Sequence, residues 1–306
     1  MISRRPSRSP RLRAGLALLG AALWAVAAGA VTIELPNADG SLKFAVIGDS
    51  GSGSIRQYQV AAQMVLAHRA YPYEFVLMLG DNIYGSERPR DFQQKFERPY
   101  APLLDAGVTF YAALGNHDEP HIQIHYAPFN LGGRRYHSFV KGDAEFFVLD
   151  STFMSTEQLR WLERALQAST APWKIAYMHH PIYSSGRRHG SDVKLRAFLE
   201  PLFVKYGVSV VFAGHEHFYE RLKPQQGIAY FTVGSAGKLR AGNIQRGPLY
   251  AKGFDTDLSF MLVEIIGDTM HFQVISRKGD TVDSGTVPRR QVAATAADAR
   301  LAPARR

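Results

Sequence analysis

Asp49, Asp81, Asn116, His117, His179, His180, His215 and His217 are the residues of this sequence whose types and spacing could do joint chemistry. Four of the segments that carry them share one form, in which an apolar run ends in Gly and a polar residue follows at once. They are Val46-Ile47-Gly48-Asp49, Met78-Leu79-Gly80-Asp81, Ala113-Leu114-Gly115-Asn116-His117-Asp118 and Phe212-Ala213-Gly214-His215-Glu216-His217. A fifth run ends in Met178-His179-His180-Pro181 without the Gly. Carboxylate, amide and imidazole are the ligand types of hard and borderline cations. Alone, each segment has a plainer reading. Gly-Asp is usually a turn, Asn116-His117-Asp118 could cap a helix, and Gly214-His215-Glu216-His217 could be a polar loop. Five in one chain, each closing an apolar run, point to one shared metal site. His215 and His217, two apart in extended backbone, face the same side. Neighbours in a strand face opposite ways, so only one of His179 and His180 should ligate. The chain has no Cys, which excludes disulfides and thiolate ligands.

The elements that must position these groups are strands alternating with helices. Strands are expected at 43–47, 75–79, 108–114, 173–178 and 208–213, and a hairpin over 136–149 turning at Lys141-Gly142-Asp143. Helices are expected at about 55–70, 91–104, 156–167 and 192–206, with mostly strands and turns from Gly227 onward. Apolar strands between helices imply βαβ units, and the late meander implies antiparallel additions, so the class is α/β. In open α/β sheets ligands bind beyond the carboxyl ends of the strands, where all five polar segments fall.

The formal charge of +9 invites a nucleic-acid reading, but its distribution opposes one. Residues 1–30 hold five Arg and no acid, residues 288–306 hold five Arg and one Asp, and the stretch between them is neutral. A folded nucleic-acid binder carries its excess on the core. Arg4, Arg5, Arg8, Arg11 and Arg13 precede an uncharged run from Ala14 to Val31 that contains Ala28-Gly29-Ala30. That is the anatomy of a secretory signal peptide over residues 1–30, which implies a secreted or periplasmic protein with no membrane span once cleaved. Residues 31–287 are then the catalytic domain, and the Ala- and Arg-rich residues 288–306 a disordered basic tail.

Gly48-Asp49-Ser50-Gly51, Gly80-Asp81-Asn82-Ile83-Tyr84, Gly115-Asn116-His117-Asp118, Ala176-Tyr177-Met178-His179 and Gly214-His215-Glu216-His217 match in order the five motifs of purple acid phosphatases. The chain thus resembles that branch of the calcineurin-like metallophosphoesterases, from about Lys43 to Arg240. Gly51, where the wider superfamily usually has His, and Tyr84, three residues after Asp81, point to the purple branch. The chain is compact, like the small mammalian-type enzymes rather than the two-domain plant ones.

The resemblance implies a four-layer α-β-β-α sandwich with two mixed sheets. It implies two metal ions: Asp49, Tyr84 and His217 on the first, Asn116, His179 and His215 on the second, and Asp81 bridging. Carboxylates with a phenolate suit Fe(III), and imidazoles with an amide oxygen suit Fe(II), Zn or Mn. Water held between two such ions ionises readily and can attack phosphorus, while His117 or His189 serves the leaving group. The implied activity is hydrolysis of small-molecule phosphate monoesters. Phosphodiester or nucleotide hydrolysis is the alternative, and non-catalytic metal or phosphate binding the rival from another class. His121 and His125 are expected at the surface, Asp150 in a structural role, and Arg187 and Arg188 in a solvated loop; Lys238 is left open.

Overall fold

The computed structural model describes residues 31–291. The expected signal peptide lies outside them, as does the tail from residue 292.

The first half of the chain builds β1 (Leu42–Ile47), α1 (Ile55–Ala70), β2 (Phe75–Leu79), α2 (Pro89–Phe92), a π-helical turn (Gln93–Glu97), α3 (Arg98–Asp105) and β3 (Thr109–Ala113). Then follow α4 (Pro120–Gln123), a 3₁₀ turn (Ala127–Phe129), β4 (His137–Lys141), β5 (Ala144–Val148), α5 (Thr156–Ala168) and β6 (Trp173–Met178). The remainder is α6 (Val193–Tyr206), β7 (Val210–Ala213), β8 (Tyr219–Leu222), β9 (Ala229–Val233), β10 (Tyr250–Phe254), β11 (Ser259–Ile266), β12 (Thr269–Ser276) and β13 (Thr281–Pro288). Ser54, Ser155 and Asp192 cap α1, α5 and α6 by accepting from the backbone of the first turn, so each helix starts where a short polar side chain can take its free N–H.

Two mixed sheets result. One has six strands in the order β13-β12-β11-β1-β2-β3, with β1, β2 and β3 parallel and β11 antiparallel to β1. The other has seven in the order β10-β8-β9-β7-β6-β5-β4, with β5, β6, β7 and β9 parallel. The period of two along each strand explains the layering. Phe44 and Val46 of β1 enter the core between the sheets, against Phe146, Tyr177 and Phe212. Ala45 and Ile47 face outward to Val60 and Met64 of α1 and to Phe96. On the far side Phe147, Ala176 and Met178 pack on Leu162 of α5 and on Leu199 and Phe203 of α6. Three apolar layers separate four structural ones, as the resemblance implies.

Three details differ from the sequence reading. The helix expected over 91–104 contains the π-helical turn at Gln93–Glu97. Strand β8 falls in a stretch where no strand is expected. The tail boundary also moves: β13 runs through Pro288, Arg289 pairs with Asp268, and Arg290 donates to Val204 O and Gln226 O. Residues 288–290 therefore belong to the folded body. The exposed Arg289 pair contributes little, but each bond of Arg290 to the body is worth about 1 kcal/mol. A protein of residues 31–287 should accordingly unfold about 1–3 kcal/mol more easily than one of residues 31–291. Denaturant midpoints compare the two, and equal values would show that these contacts contribute nothing.

Candidate metal centre

All five polar segments meet at one end of the sandwich, on the seam between the sheets. Asp49, Asp81 and Asn116 follow β1, β2 and β3 of the six-stranded sheet; His179, His215 and His217 follow β6 and β7 of the other. Polar groups cross the seam: Asp49 Oδ2 accepts from His215 N at 2.8 Å, and His179 Nδ1 lies 2.9 Å from Leu79 O. Asp49, Asp81 and His215 have φ of 53°, 50° and 66°, the left-handed region that non-glycine residues rarely enter. Such strain persists where surrounding structure over-determines it, and it collects at functional sites. The preceding glycines serve mainly for closeness. A Cβ on Gly115 would overlap Asp81 Oδ1, and one on Gly214 would lie 2.7 Å from Asp49 Oδ2.

Two donor sets form. In the first, Asp49, Asp81 and His217 bring ligand atoms within 4.8 Å of one another. Tyr84 completes it, with its hydroxyl 3.1 Å from Asp49 Oδ1 and 3.2 Å from His217 Nε2. In the second, His179 Nε2 lies 2.9 Å from Asn116 Oδ1, 3.1 Å from His215 Nδ1 and 3.4 Å from Asp81 Oδ1. Asp81 thus borders both sets. His180 also falls within 4.8 Å of His179 and His215. Its Nδ1 sits 3.0 Å from Ser151 Oγ, which also accepts from His180 N. This contact engages Nδ1 of His180 away from the other donors, and among the described residues no hydrogen bond or ion pair joins His180 to Asn116 or Asp81 as His179 Nε2 is joined.

The chemistry of these donors fits cations. Burial first, and the neighbouring Asp81 second, hold the Asp49 carboxyl well above the usual carboxylate range. Burial drives His179 well below ordinary histidine, with neighbouring His180 adding to it, so the ring is neutral. Its single proton goes on Nδ1, facing Leu79 O, which leaves the Nε2 lone pair pointing at the oxygens of Asn116 and Asp81. Converging lone pairs and buried like charges cost energy that a bound cation would relieve. His215 is pushed down to about 2, by burial and then His179, and His217 to about 4, by burial and then Arg240.

These depressed values set a pH dependence. A free imidazole takes up its proton near 6.5, whereas His217 resists until about 4. Its contribution to the metal-free fold is complete above about pH 6.5 and is lost as pH falls toward 4, because the unfolded chain binds the proton first. Metal retention should instead track the folded-state value, because the ring gives up its lone pair to a proton only there. Dialysis at pH 5 is expected to leave the metal content intact, with loss setting in below about pH 4. Stripping already at pH 6 would mean that these rings titrate as free histidines.

The floor of the centre is buried, formed by Asp49, Asp81 and His179, while Asn116, His117 and His189 stand exposed on the rim. His117 donates its backbone N–H to Asp81 Oδ1 at 3.0 Å, and its ring lies 4.9 Å from that of Tyr84. The His189 ring lies 4.3 Å from that of His215, and burial moves its pKa below the ordinary value. His121, His125, Arg187 and Arg188 are exposed. Asp150 is buried, pairs with Arg135 and accepts from Thr152 N and Phe153 N, a structural arrangement.

Sequence reasoning passed over two residues here, Asp118 and Glu216, and left a third, Lys238, open. Asp118 is buried and accepts from Gly115 N, Ile83 N and the Gln123 amide, bracing the loop that presents Asn116 and His117. Lys238 places its ammonium 4.4 Å over the Tyr84 ring. Glu216 lies fully buried between the two histidines of its motif. For Glu216 the one available signal was its place between two histidines that share a site.

A double-sheet sandwich with two donor sets sharing one carboxylate defines a metal-dependent phosphoesterase, and the chain belongs to the calcineurin-like phosphoesterase family, whose sequence profile matches residues 42–219. Within it the chain is similar to purple acid phosphatases. It is 30% identical to purple acid phosphatase 17 of Arabidopsis thaliana, over 80% of this chain and 88% of that one. It is 27% identical to human (Homo sapiens) tartrate-resistant acid phosphatase type 5, over 83% of this chain and 94% of the relative. The fold is shared with a purple acid phosphatase from yellow lupin (Lupinus luteus) seeds, at a TM-score of 0.65 and 19% identity over 84% of this chain and 55% of that one. The resemblance drawn from the five motifs is borne out. The compact form, however, is not particular to the mammalian relatives, since the Arabidopsis protein is covered to 88% of its length.

Proposed function

We propose that this protein hydrolyses phosphate monoesters at a centre of two metal ions, Fe(III) with Fe(II), Zn or Mn. The observation that carries the reading is the position of Asp81, which borders both donor sets. Asp49, Tyr84, His217 and Asp81 would hold one ion; Asn116, His179, His215 and Asp81 would hold the other. When bound, the pair would supply a nucleophile from water at mild pH and offset charge on the transferring phosphoryl group. The chain's own groups then have defined tasks. The buried floor fixes the donors, and the exposed rim receives the ester. His117 and His189 flank the opening from opposite sheets, placed to hold a phosphate oxygen or give a proton to the departing alkoxide.

We read residues 1–30 as an export signal, residues 31–290 as the catalytic body, and the protein as secreted or periplasmic. No described helix is long and apolar enough to cross a membrane. The charge of the chain sits in its two ends, so the core is a partner for small phosphate esters rather than for nucleic acid.

Turnover of a chromogenic monoester, compared with its diester, tests the reaction class; faster diester turnover would overturn it. His189→Ala separates the rim from the floor. It should keep the metal content and lose about 10²-fold or more in kcat on an alkyl phosphate, but much less on 4-nitrophenyl phosphate, whose leaving group needs no proton. Equal losses on the two esters would remove the proton-donor role.

A further inference from the structure

His189 sits on the loop between β6 and α6, and the support of that loop converges on one side chain. Glu216 is fully buried. Its Oε1 accepts from His189 N at 3.2 Å and from Gly190 N at 2.8 Å. Its Oε2 accepts from Asn243 Nδ2 at 2.9 Å and Arg240 Nη1 at 3.2 Å. The loop lies so close over this carboxylate that a Cβ on Gly186 would overlap it. The segment bearing Asn243 in turn pairs with the loop, through Arg187 N to Asn243 O at 2.9 Å and Gln245 N to Ser185 O at 2.8 Å. A second buried acid, Glu220, takes the other end of the loop at Ser185 N and Ser184 Oγ. The backbone here is bent rather than extended, with His215 at φ 66° and tight contacts from Glu216 N to Gly214 O at 2.8 Å and from Phe218 N to Glu216 O at 2.7 Å, and this turn carries the Glu216 carboxylate beneath the centre to the loop.

We propose that Glu216 is the positioning residue that sets His189 over the metal centre, a role that rests on the reading of His189 given above. The carboxylate is the one acceptor for two consecutive backbone N–H groups at and beside His189. Without it those groups lose their partner, and the loop must shift or open to solvate them. Misplacement of a reacting group by about 1 Å costs up to about 10²-fold in rate. Arg240 balances the buried charge, and Asn243 fixes the orientation of the carboxylate, so the anchor is rigid.

The metal-loaded protein is assayed on 4-nitrophenyl phosphate and on a primary alkyl phosphate. Glu216→Ala should retain the metals and lose about 10- to 10²-fold in kcat on the alkyl ester, with less than about threefold on the nitrophenyl ester. Glu216→Gln, which keeps one acceptor oxygen, should fall between the wild type and Glu216→Ala. In a His189→Ala background, Glu216→Ala should add no further dependence on the leaving group. Asn243→Ala lies away from every donor and should reproduce the selective loss in milder form, which keeps the test decisive if Glu216→Ala fails to fold. Equal losses on both esters in Glu216→Ala or Asn243→Ala, full additivity with His189→Ala, or loss of metal from Glu216→Ala would overturn the proposal. If His189→Ala itself shows no leaving-group dependence, the donor reading fails and this inference falls with it. If only the Glu216 and Asn243 variants lack that dependence, this inference falls alone.

Discussion

Asp81→Ala is expected to empty the centre and lower kcat by several orders of magnitude, beyond the roughly 10²–10⁴-fold that loss of a single general acid brings. The expectation follows from placement. Asp81 Oδ1 lies 3.4 Å from His179 Nε2 and accepts from His117 N at 3.0 Å, while the carboxylate also groups with Asp49 and His217. Its removal would take a candidate donor from both sets at once. It also frees the backbone N–H of His117, so the rim loosens with the floor. Asp81→Asn is the gentler partner variant: it keeps the shape and one acceptor oxygen but not the charge, and should retain less metal than wild type and more than Asp81→Ala. Metal content by elemental analysis, read beside monoester turnover, decides the matter. Near-normal turnover in Asp81→Ala would end the two-metal reading.

The second large effect is spectroscopic. In the iron-loaded protein Tyr84 is expected to give a visible phenolate-to-Fe(III) charge-transfer band, and Tyr84→Phe to abolish it while leaving the fold intact. Burial first, then the Asp49 and Asp81 carboxylates, hold the Tyr84 phenol far above its ordinary value. With only protein groups around it, the phenol stays protonated and donates to Asp49 Oδ1 at 3.1 Å. Only a strong cation in the first donor set reverses that balance, so the band reports both the ion and the ligand. Lys238, 4.4 Å over the same ring, adds a fixed positive charge that favours the phenolate. The Phe variant removes one oxygen and the two polar contacts it makes. A band that persists in Tyr84→Phe, or never appears in the iron-loaded wild type, would assign the ligand elsewhere and weaken the acid-phosphatase reading.

The Asp, Asn and His residues that gather at the candidate centre were legible because their segments close apolar runs, and such runs in α/β proteins are strands whose carboxyl ends gather ligands, whereas Tyr84 came from the resemblance. The strands and main helices were legible for the same reason, down to the hairpin turn at Lys141-Gly142-Asp143. Which strands share a sheet was not. Phe44, Phe75, Phe146 and Phe212 all enter the core between the sheets, and strands buried on both faces carry no periodic mark of their partner. The two-sheet architecture therefore came from the resemblance alone. Strand β8 was hidden because Glu220 and Arg221 interrupt its apolar character; one is buried under the His189 loop and the other is paired with Asp283. Asp118 and Glu216 were visible as letters inside motifs, but their work is to accept backbone N–H groups from elsewhere, and spacing does not encode that.

The order of strands in the six-stranded sheet bears on how the protein comes into being. Leu42 of β1 lies opposite Ile265 of β11, so the strand that presents Asp49 is flanked on one side by a segment made far later. Glu264 on that same late strand accepts from Asn37 N and Ala38 N and so secures the entry to β1. A chain synthesised from its N-terminus therefore has every metal donor available before the strand that braces the first of them exists. Contacts of such long sequence separation slow folding, because loop closure precedes the contacts that reward it. The Asp49 end of the candidate centre is therefore completed only when β11 pairs with β1, after all of its own residues have been made.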